Sequence, residues 1–287
     1  MEEIQNLQWF PGHMKKTEEL IRENLELVDV IIEVLDARIP WSSRNPMFGE
    51  MFEGKAKISV FTKPDLANRI ETGRWLRYFH ENDNPAVIVD ALKGSGLKGL
   101  ISAVKALAEP KTHKLVKNGA NPRPARAMVV GIPNVGKSSL INRLANSRSA
   151  KTANYPGATR SKQWIKIDAG MELLDTPGIL YPKFEDQEVA LKLAWVYAIN
   201  DEIFDNEAVV RNLLEVLIKK IPANIAKCYH LPVPIPEDPQ ELLNQIGVRR
   251  GCLRKSGTIN LDRAARLVLK EFRSGRIGPI TLDKVPT

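Results

Sequence analysis

Eight consecutive residues, Gly131-Ile132-Pro133-Asn134-Val135-Gly136-Lys137-Ser138, fit G-x-x-x-x-G-K-[ST] without a mismatch. A triphosphate is densely charged, and backbone N–H groups at a helix N-terminus can surround it only where glycine lets the chain come close. An apolar run at 127–130 precedes the motif and a helical pattern at 139–145 follows it, which is the strand–loop–helix setting such chemistry needs. A chance match in a chain of this length is roughly one in a hundred, so a plain glycine turn with a surface lysine is the weaker explanation. On this reading Asn134, Val135, Gly136, Lys137, Ser138 and Ser139 hold phosphates. Lys137 would neutralise the β- and γ-phosphates during transfer, and the Ser138 hydroxyl would ligate Mg²⁺.

Two further groups complete a phosphoryl-transfer site. Leu173-Leu174-Asp175-Thr176-Pro177-Gly178 closes an apolar run with D-x-x-G, where Asp175 would hold Mg²⁺ through water and the Gly178 N–H would sense the γ-phosphate. Between the two motifs, Thr159 in Pro156-Gly157-Ala158-Thr159-Arg160 would supply a second Mg²⁺ ligand and act in catalysis. The base is read elsewhere. Thr62-Lys63-Pro64-Asp65 follows the run 57–61 in the form [NT]-K-x-D, whose aspartate accepts hydrogen bonds from the guanine ring N1–H and exocyclic amine, groups adenine does not offer. Asp90 and Ala91 follow another short run at 86–89, where a backbone N–H near Ala91 would meet guanine O6. GTP and GDP are therefore the expected ligands.

Hydrolysis needs an oriented water and charge neutralisation. Ile179 follows D-x-x-G, where many GTPases place a glutamine, and its side chain cannot hydrogen-bond. Asn134 stands where potassium-stimulated GTPases use an asparagine to help bind K⁺; asparagine also suits turns for conformational reasons alone.

The elements that must position these groups alternate in the first two-thirds of the chain. Apolar, β-branched runs at 28–35, 57–61, 86–89 and 127–130 are each followed by a polar loop, and mostly then by a helical pattern. That predicts an α/β domain with a mainly parallel sheet and helices on both faces. Two short runs at 163–167 and 172–174, split by Asp168-Ala169-Gly170, predict a hairpin within it. Both base-reading elements precede the phosphate loop, whereas in most GTPases they follow it. A sheet tolerates such circular permutation if a linker joins the former ends, and residues 108–126, rich in Lys, Pro and Gly, are the expected linker. After residue 182 strand-like runs give way to helical patterns at 186–199, 206–220, 238–246 and 261–273. The expected domains are thus 1–182, the permuted GTPase domain, and 183–287, a smaller all-α domain. D-x-x-G runs straight into the latter, which predicts that hydrolysis repositions it.

Bulk properties agree with a soluble enzyme that meets a polyanion. The net charge is +8, and residues 249–276 concentrate nine Lys/Arg against two acids. In the pattern 261–273, Leu261, Ala265, Val268 and Phe272 share one face, while Arg263, Arg266, Lys270 and Arg273 share the other. That stripe is read as RNA-binding, with a solvated helix face as the bland alternative. A second basic run, residues 111–126, holds five cations and no acid. No run of 18 apolar residues argues for a membrane span, and the N-terminus lacks the pattern of a signal peptide. Cys228 and Cys252 stand far apart without metal-ligand neighbours, so reduced thiols and a cytoplasmic location are expected.

Together the residues resemble the ribosome biogenesis GTPase A family of circularly permuted GTPases. The likeness rests on Trp9-Phe10-Pro11-Gly12-His13-Met14, on Asp36-Ala37-Arg38-Ile39-Pro40 with Ser42-Ser43-Arg44-Asn45-Pro46, on residues 131–138, on Asp175-Thr176-Pro177-Gly178-Ile179-Leu180 and on Arg250-Gly251-Cys252-Leu253. It implies assembly of the bacterial large (50S) ribosomal subunit, contacts with rRNA of the subunit precursor rather than with DNA or membrane, and GTP hydrolysis stimulated by ribosomal particles. It also points to His13 as the group that orients the water, in a segment where packing with Trp9 and Phe10 is the structural alternative. The chain departs from the family pattern at Thr62, where asparagine is usual, and at Asp90, where serine is.

Overall fold

Seven consecutive buried residues form β1 (Val30–Asp36), and burial on both faces is what a central parallel strand requires. The computed structural model describes residues 12–146, 164–180 and 186–286. Beside β1 it places β2 (Ala56–Thr62), β3 (Ala86–Ile88), β4 (Ala125–Val130), β5 (Trp164–Asp168) and β6 (Met171–Asp175) in one sheet of order β3-β2-β1-β4-β6-β5. All neighbours are parallel except β5 and β6, which pair antiparallel as the predicted hairpin. Because β1, β2, β3, β4 and β6 run the same way, the segments after residues 36, 62, 88, 130 and 175 all emerge at the carboxyl ends of the strands. Ligands of open α/β sheets bind outside those ends. The permutation is visible in the order: β4, which carries the phosphate loop, lies beside β1, although β1, β2 and β3 all precede it in the chain.

The helices of this unit are α1 (Gly12–Asn24), α2 (Met47–Met51), α3 (Arg69–Glu81), α4 (Leu97–Lys117) and α5 (Lys137–Asn146). Residues 108–117, expected in the linker, are instead the second half of α4. Pro110 lies inside this helix, whose Leu97, Leu100, Val104 and Ala108 are buried; that apolar face carries the helix past one missing N–H. Two of the five cations of the basic run, Lys111 and Arg123, pair with the buried Asp29, at 3.1 and 2.7 Å.

The described residues fall into two compact units. One is the described part of residues 10–182 together with the tail 281–286; the other is the described part of 183–280. The tail, expected with the helical domain, belongs with the sheet. The second unit consists of helices α6 (Gln187–Trp195), α7 (Asn206–Lys220), α8 (Pro222–Tyr229), α9 (Pro239–Arg249) and α10 (Leu261–Arg273). Aspartates at 186, 205 and 238 and Asn260 cap α6, α7, α9 and α10 through first-turn N–H groups, a strong reason for these boundaries. Its core is Leu213, Leu214 and Leu217 of α7 against Leu242, Leu243, Val268 and Leu269. Among the described residues no helix is long and apolar enough to cross a membrane, and both cysteines are free thiols.

Candidate functional site

The loop between β4 and α5 is shaped by backbone that only certain residues tolerate. Gly131 has φ +150° and a Cβ there would meet the Val34 carbonyl oxygen at 2.6 Å, so β1 can pass this close only to a glycine. Asn134 adopts a left-handed φ of 60°, a conformation asparagine accepts more readily than most residues. Its side chain is exposed. α5 begins at Lys137, and the hydroxyls of Ser138 and Ser139 sit exposed on its first turn.

Lys137 is 7% exposed, and its ammonium donates to the carbonyls of Gly131 and Ile132 at 3.0 and 2.7 Å. Burial pushes this amine down to about 8; nearby Asp175 opposes the shift and Lys63 adds to it. D-x-x-G comes to the same place. Burial raises the Asp175 carboxyl, against the pull of Lys137 and a hydrogen bond from the Thr176 backbone. The Thr176 hydroxyl donates to the Val129 carbonyl at 2.5 Å, pinning the segment to β4. Gly178 lies so close that a Cβ there would meet Lys137 Nζ at 2.8 Å and the Pro133 backbone at 3.0 Å. The Ile179 N–H donates to the Gly131 carbonyl at 3.2 Å, and its side chain is fully buried. Lys137 at the start of α5 and Asp175 and Gly178 at and after the end of β6, about 40 residues further along the chain, therefore converge on one loop.

The residues expected to read the base are tied to this loop. Thr62 is buried, and its hydroxyl contacts the carbonyls of Leu35 at 2.9 Å and Val135 at 2.5 Å. A side chain so committed fixes β2 against the phosphate loop, and Thr62 enters the expected guanine site by bracing it. Lys63, with φ 53°, donates to the Asn134 carbonyl at 2.6 Å and to Asp36 at 2.9 Å. Asp65 follows on an exposed single turn, and among the described residues nothing takes its carboxylate. Asp90, in the second expected guanine element, is buried, and its Oδ1 accepts from the N–H groups of Leu92 and Lys93, both at 2.9 Å. It shapes its own loop, in which the Ala91 N–H has no protein acceptor among the described residues.

Sequence reasoning gave no role to Asp36. Its fully buried carboxylate receives Arg38 Nε and Nη2 at 2.9 and 2.7 Å together with Lys63 Nζ. Burial alone would raise this carboxyl, but Arg38 and Lys63 hold it well below the usual carboxylate range. An aspartate ending a buried strand, two residues before an arginine, was the available signal. His13 lies on the first turn of α1 with its side chain outside what is described, and Thr159 lies outside the described residues altogether.

Ser138 is exposed on the first turn of α5, and Asp175 is near enough to the buried Lys137 ammonium to feel its charge; oxygen donors of this kind suit a hard divalent cation bound with phosphates. In the helical unit the expected stripe needs one correction. Arg273 grips Asp201 at 2.7 and 2.8 Å and the carbonyls of Ala194 and Trp195, and stacks 4.7 Å from the Tyr197 ring centre. It is an internal staple. Arg263 and Lys270 are exposed, and Arg266 is exposed beside Asp262 at 2.9 Å. Arg249, Arg254 and Lys255, at the end of α9 and on the turn leading to α10, are exposed as well.

Comparison with known proteins agrees with this geometry. A family model described as a 50S ribosome-binding GTPase matches residues 126–225. Ribosome biogenesis GTPase A of Bacillus cereus is 47% identical over 277 residues, which cover 96% of this chain and 93% of that one. The crystal structure of GNP-bound YlqF from T. maritima superposes with a TM-score of 0.64 at 25% identity, covering 94% of this chain and 98% of that one. The GDP-bound structure of the T. maritima YlqF gives 0.65 at 26%, covering 92% and 98%.

Proposed function

Since this chain belongs to the ribosome biogenesis GTPase A family, we propose that it hydrolyses GTP to GDP and phosphate while assisting maturation of the large (50S) ribosomal subunit in the cytoplasm. The observation that carries the proposal is the convergence of Lys137, Asp175 and Gly178 on a phosphate loop that is itself tied to the Thr62–Asp65 segment. The sheet unit is the hydrolytic domain and the helical unit the RNA-contacting one.

In this reading the N–H groups of the loop from Asn134 to Ser139 cradle the phosphates. Lys137 leaves its two carbonyl partners for the β- and γ-phosphates, and the Gly178 N–H meets the γ-phosphate. Asp65 and the Ala91 N–H read guanine; Thr62, Lys63, Asp36 and Asp90 hold those readers in place. Mg²⁺ would be held by Ser138, Thr159 and Asp175, and supplies charge neutralisation when bound. Asn134 would contribute to a K⁺ site, and His13 would orient the attacking water. Arg263, Arg266 and Lys270, joined by Arg249, Arg254 and Lys255, would follow the rRNA phosphate backbone of the subunit precursor.

Chemical footprinting of large-subunit precursors, with a non-hydrolysable GTP analogue and with GDP, tests the partner. Nucleotide-dependent protection of rRNA is expected. Uniform reactivity with and without protein, together with retention on lipid vesicles, would replace the ribosomal partner with a membrane one.

A further inference from the structure

The last described residues form a strap across the loop after β1. Asp283, 4% exposed, accepts from the backbone N–H groups of Trp41 and Ser42 at 2.8 Å each and from the Ser42 hydroxyl at 2.7 Å. On either side of it, the Leu282 N–H donates to the Arg38 carbonyl at 2.8 Å and the Thr281 hydroxyl accepts from the Asn68 N–H at 3.2 Å. Val285 packs against the cluster containing Trp75 and Phe79. A buried carboxylate is a costly addition unless every donor is in place, and here three donors come from two adjacent residues of one loop.

That loop reaches the reacting end of the site. The Ser43 hydroxyl accepts from the Asp36 N–H at 3.1 Å, and Asn45, 3% exposed, donates from Nδ2 to the Ile179 carbonyl at 3.1 Å. Asn45 Oδ1 accepts from the Met47 N–H at 3.1 Å, which fixes the amide's orientation. The residue after Gly178 is thus pinned on one side to the phosphate loop, through Gly131, and on the other to Asn45.

We propose that Asp283 is a positioning residue for GTP hydrolysis: by holding residues 41–45 it places Asn45, and through Asn45 the backbone beside Gly178. The inference rests on the reading of Gly178 as the γ-phosphate sensor. It assigns a catalytic consequence to a residue more than 100 positions from the nearest nucleotide motif. The chain enters the strap directly from residue 280, the last of the helical unit.

The test separates kcat from nucleotide affinity in full-length protein assayed with large-subunit particles. Asp283→Asn keeps the shape but removes the charge, and is expected to lower kcat about fivefold with GDP affinity unchanged. Asn45→Ala is expected to do the same, and the double variant to be no slower than the slower single one, because both act on one link. Should Asp283→Asn fold poorly, Ser42→Ala removes a single hydroxyl donor and carries the same expectation. Equal loss of GDP affinity and turnover, or additive effects of the two substitutions, would overturn the proposal in favour of a merely structural tail. A wild type that turns over while Asp283→Asn matches it defeats the strap alone; a wild type without turnover defeats the underlying site reading too.

Discussion

The Lys137 ammonium is the group whose state the nucleotide should change most. Without ligand it is buried against two carbonyls and held near pH 8. Phosphates placed against it would restore the proton, so binding above neutral pH must take a proton from solution. A group with a value of about 8 is roughly 90% protonated at pH 7 and about 25% at pH 8.5. If the complex stays fully protonated, GDP binding takes up about 0.1 proton at pH 7 and about 0.75 at pH 8.5, and affinity weakens about fourfold between them. The diphosphate is fully ionised over the upper part of this range, so the uptake belongs to the protein. Calorimetric titration of GDP in two buffers of different ionisation enthalpy counts the protons. Lys137→Arg, which carries a charge that does not titrate, should abolish the uptake. Wild type that binds GDP at pH 8.5 without proton uptake would refute the claim that Lys137 meets the phosphates from a desolvated position. The sign for stability is opposite to that of a salt-bridged lysine. The folded, nucleotide-free chain binds this proton less tightly than the unfolded one, so the penalty is present below about pH 8 and fades as pH rises toward about 10.5.

Other substitutions probe the remaining parts. Asp36→Asn leaves the buried Arg38 and the half-buried Lys63 without their counter-charge and should cost about 3–5 kcal/mol in urea unfolding. The Asp36 contribution is present above about pH 3.9 and lost as pH falls through its lower folded value, so the variant should also show a shallower acid transition. Asp65→Asn should weaken GDP at least about tenfold and favour xanthosine diphosphate, whose ring offers an acceptor where guanine offers a donor; unchanged GDP affinity would move base recognition elsewhere. Removing Arg263 or Lys270 should lower the salt slope of rRNA binding by about 1 each. Arg273→Ala should leave that slope alone and lower the thermal stability of the helical unit, because its charge is spent on Asp201.

Much of this site was legible because its chemistry is local in sequence. Residues 131–138 must be contiguous to wrap a phosphate, and the capped, periodic helices after residue 186 carry their boundaries in their own side chains. The parallel sheet and its permuted order followed from the succession of apolar runs and the early position of Thr62–Asp65. What sequence did not disclose are groups whose partners lie far along the chain. Asp283 meets a loop some 240 residues earlier, and Asn45 meets Ile179 across 134 positions. Nothing in the local pattern of either marks such a partner. Thr62 and Asp90 sit in the expected base-reading motifs, and only their burial and hydrogen bonds show that their side chains brace the surrounding loops. Arg273 obeyed the helical period of a basic stripe, yet lies near enough to Asp201 to be captured by it. Half of the expected linker became α4 because its apolar spacing outweighs one proline.

The central claim is that one permuted site hydrolyses GTP in the service of large-subunit assembly. Phosphate release measured with purified large-subunit precursors, for wild type and Lys137→Ala, with GTP and with ATP, tests it most directly. Precursor-stimulated release from GTP alone, abolished by Lys137→Ala, is the predicted result. Release that ignores the precursor, persists in Lys137→Ala or proceeds equally from ATP would contradict it.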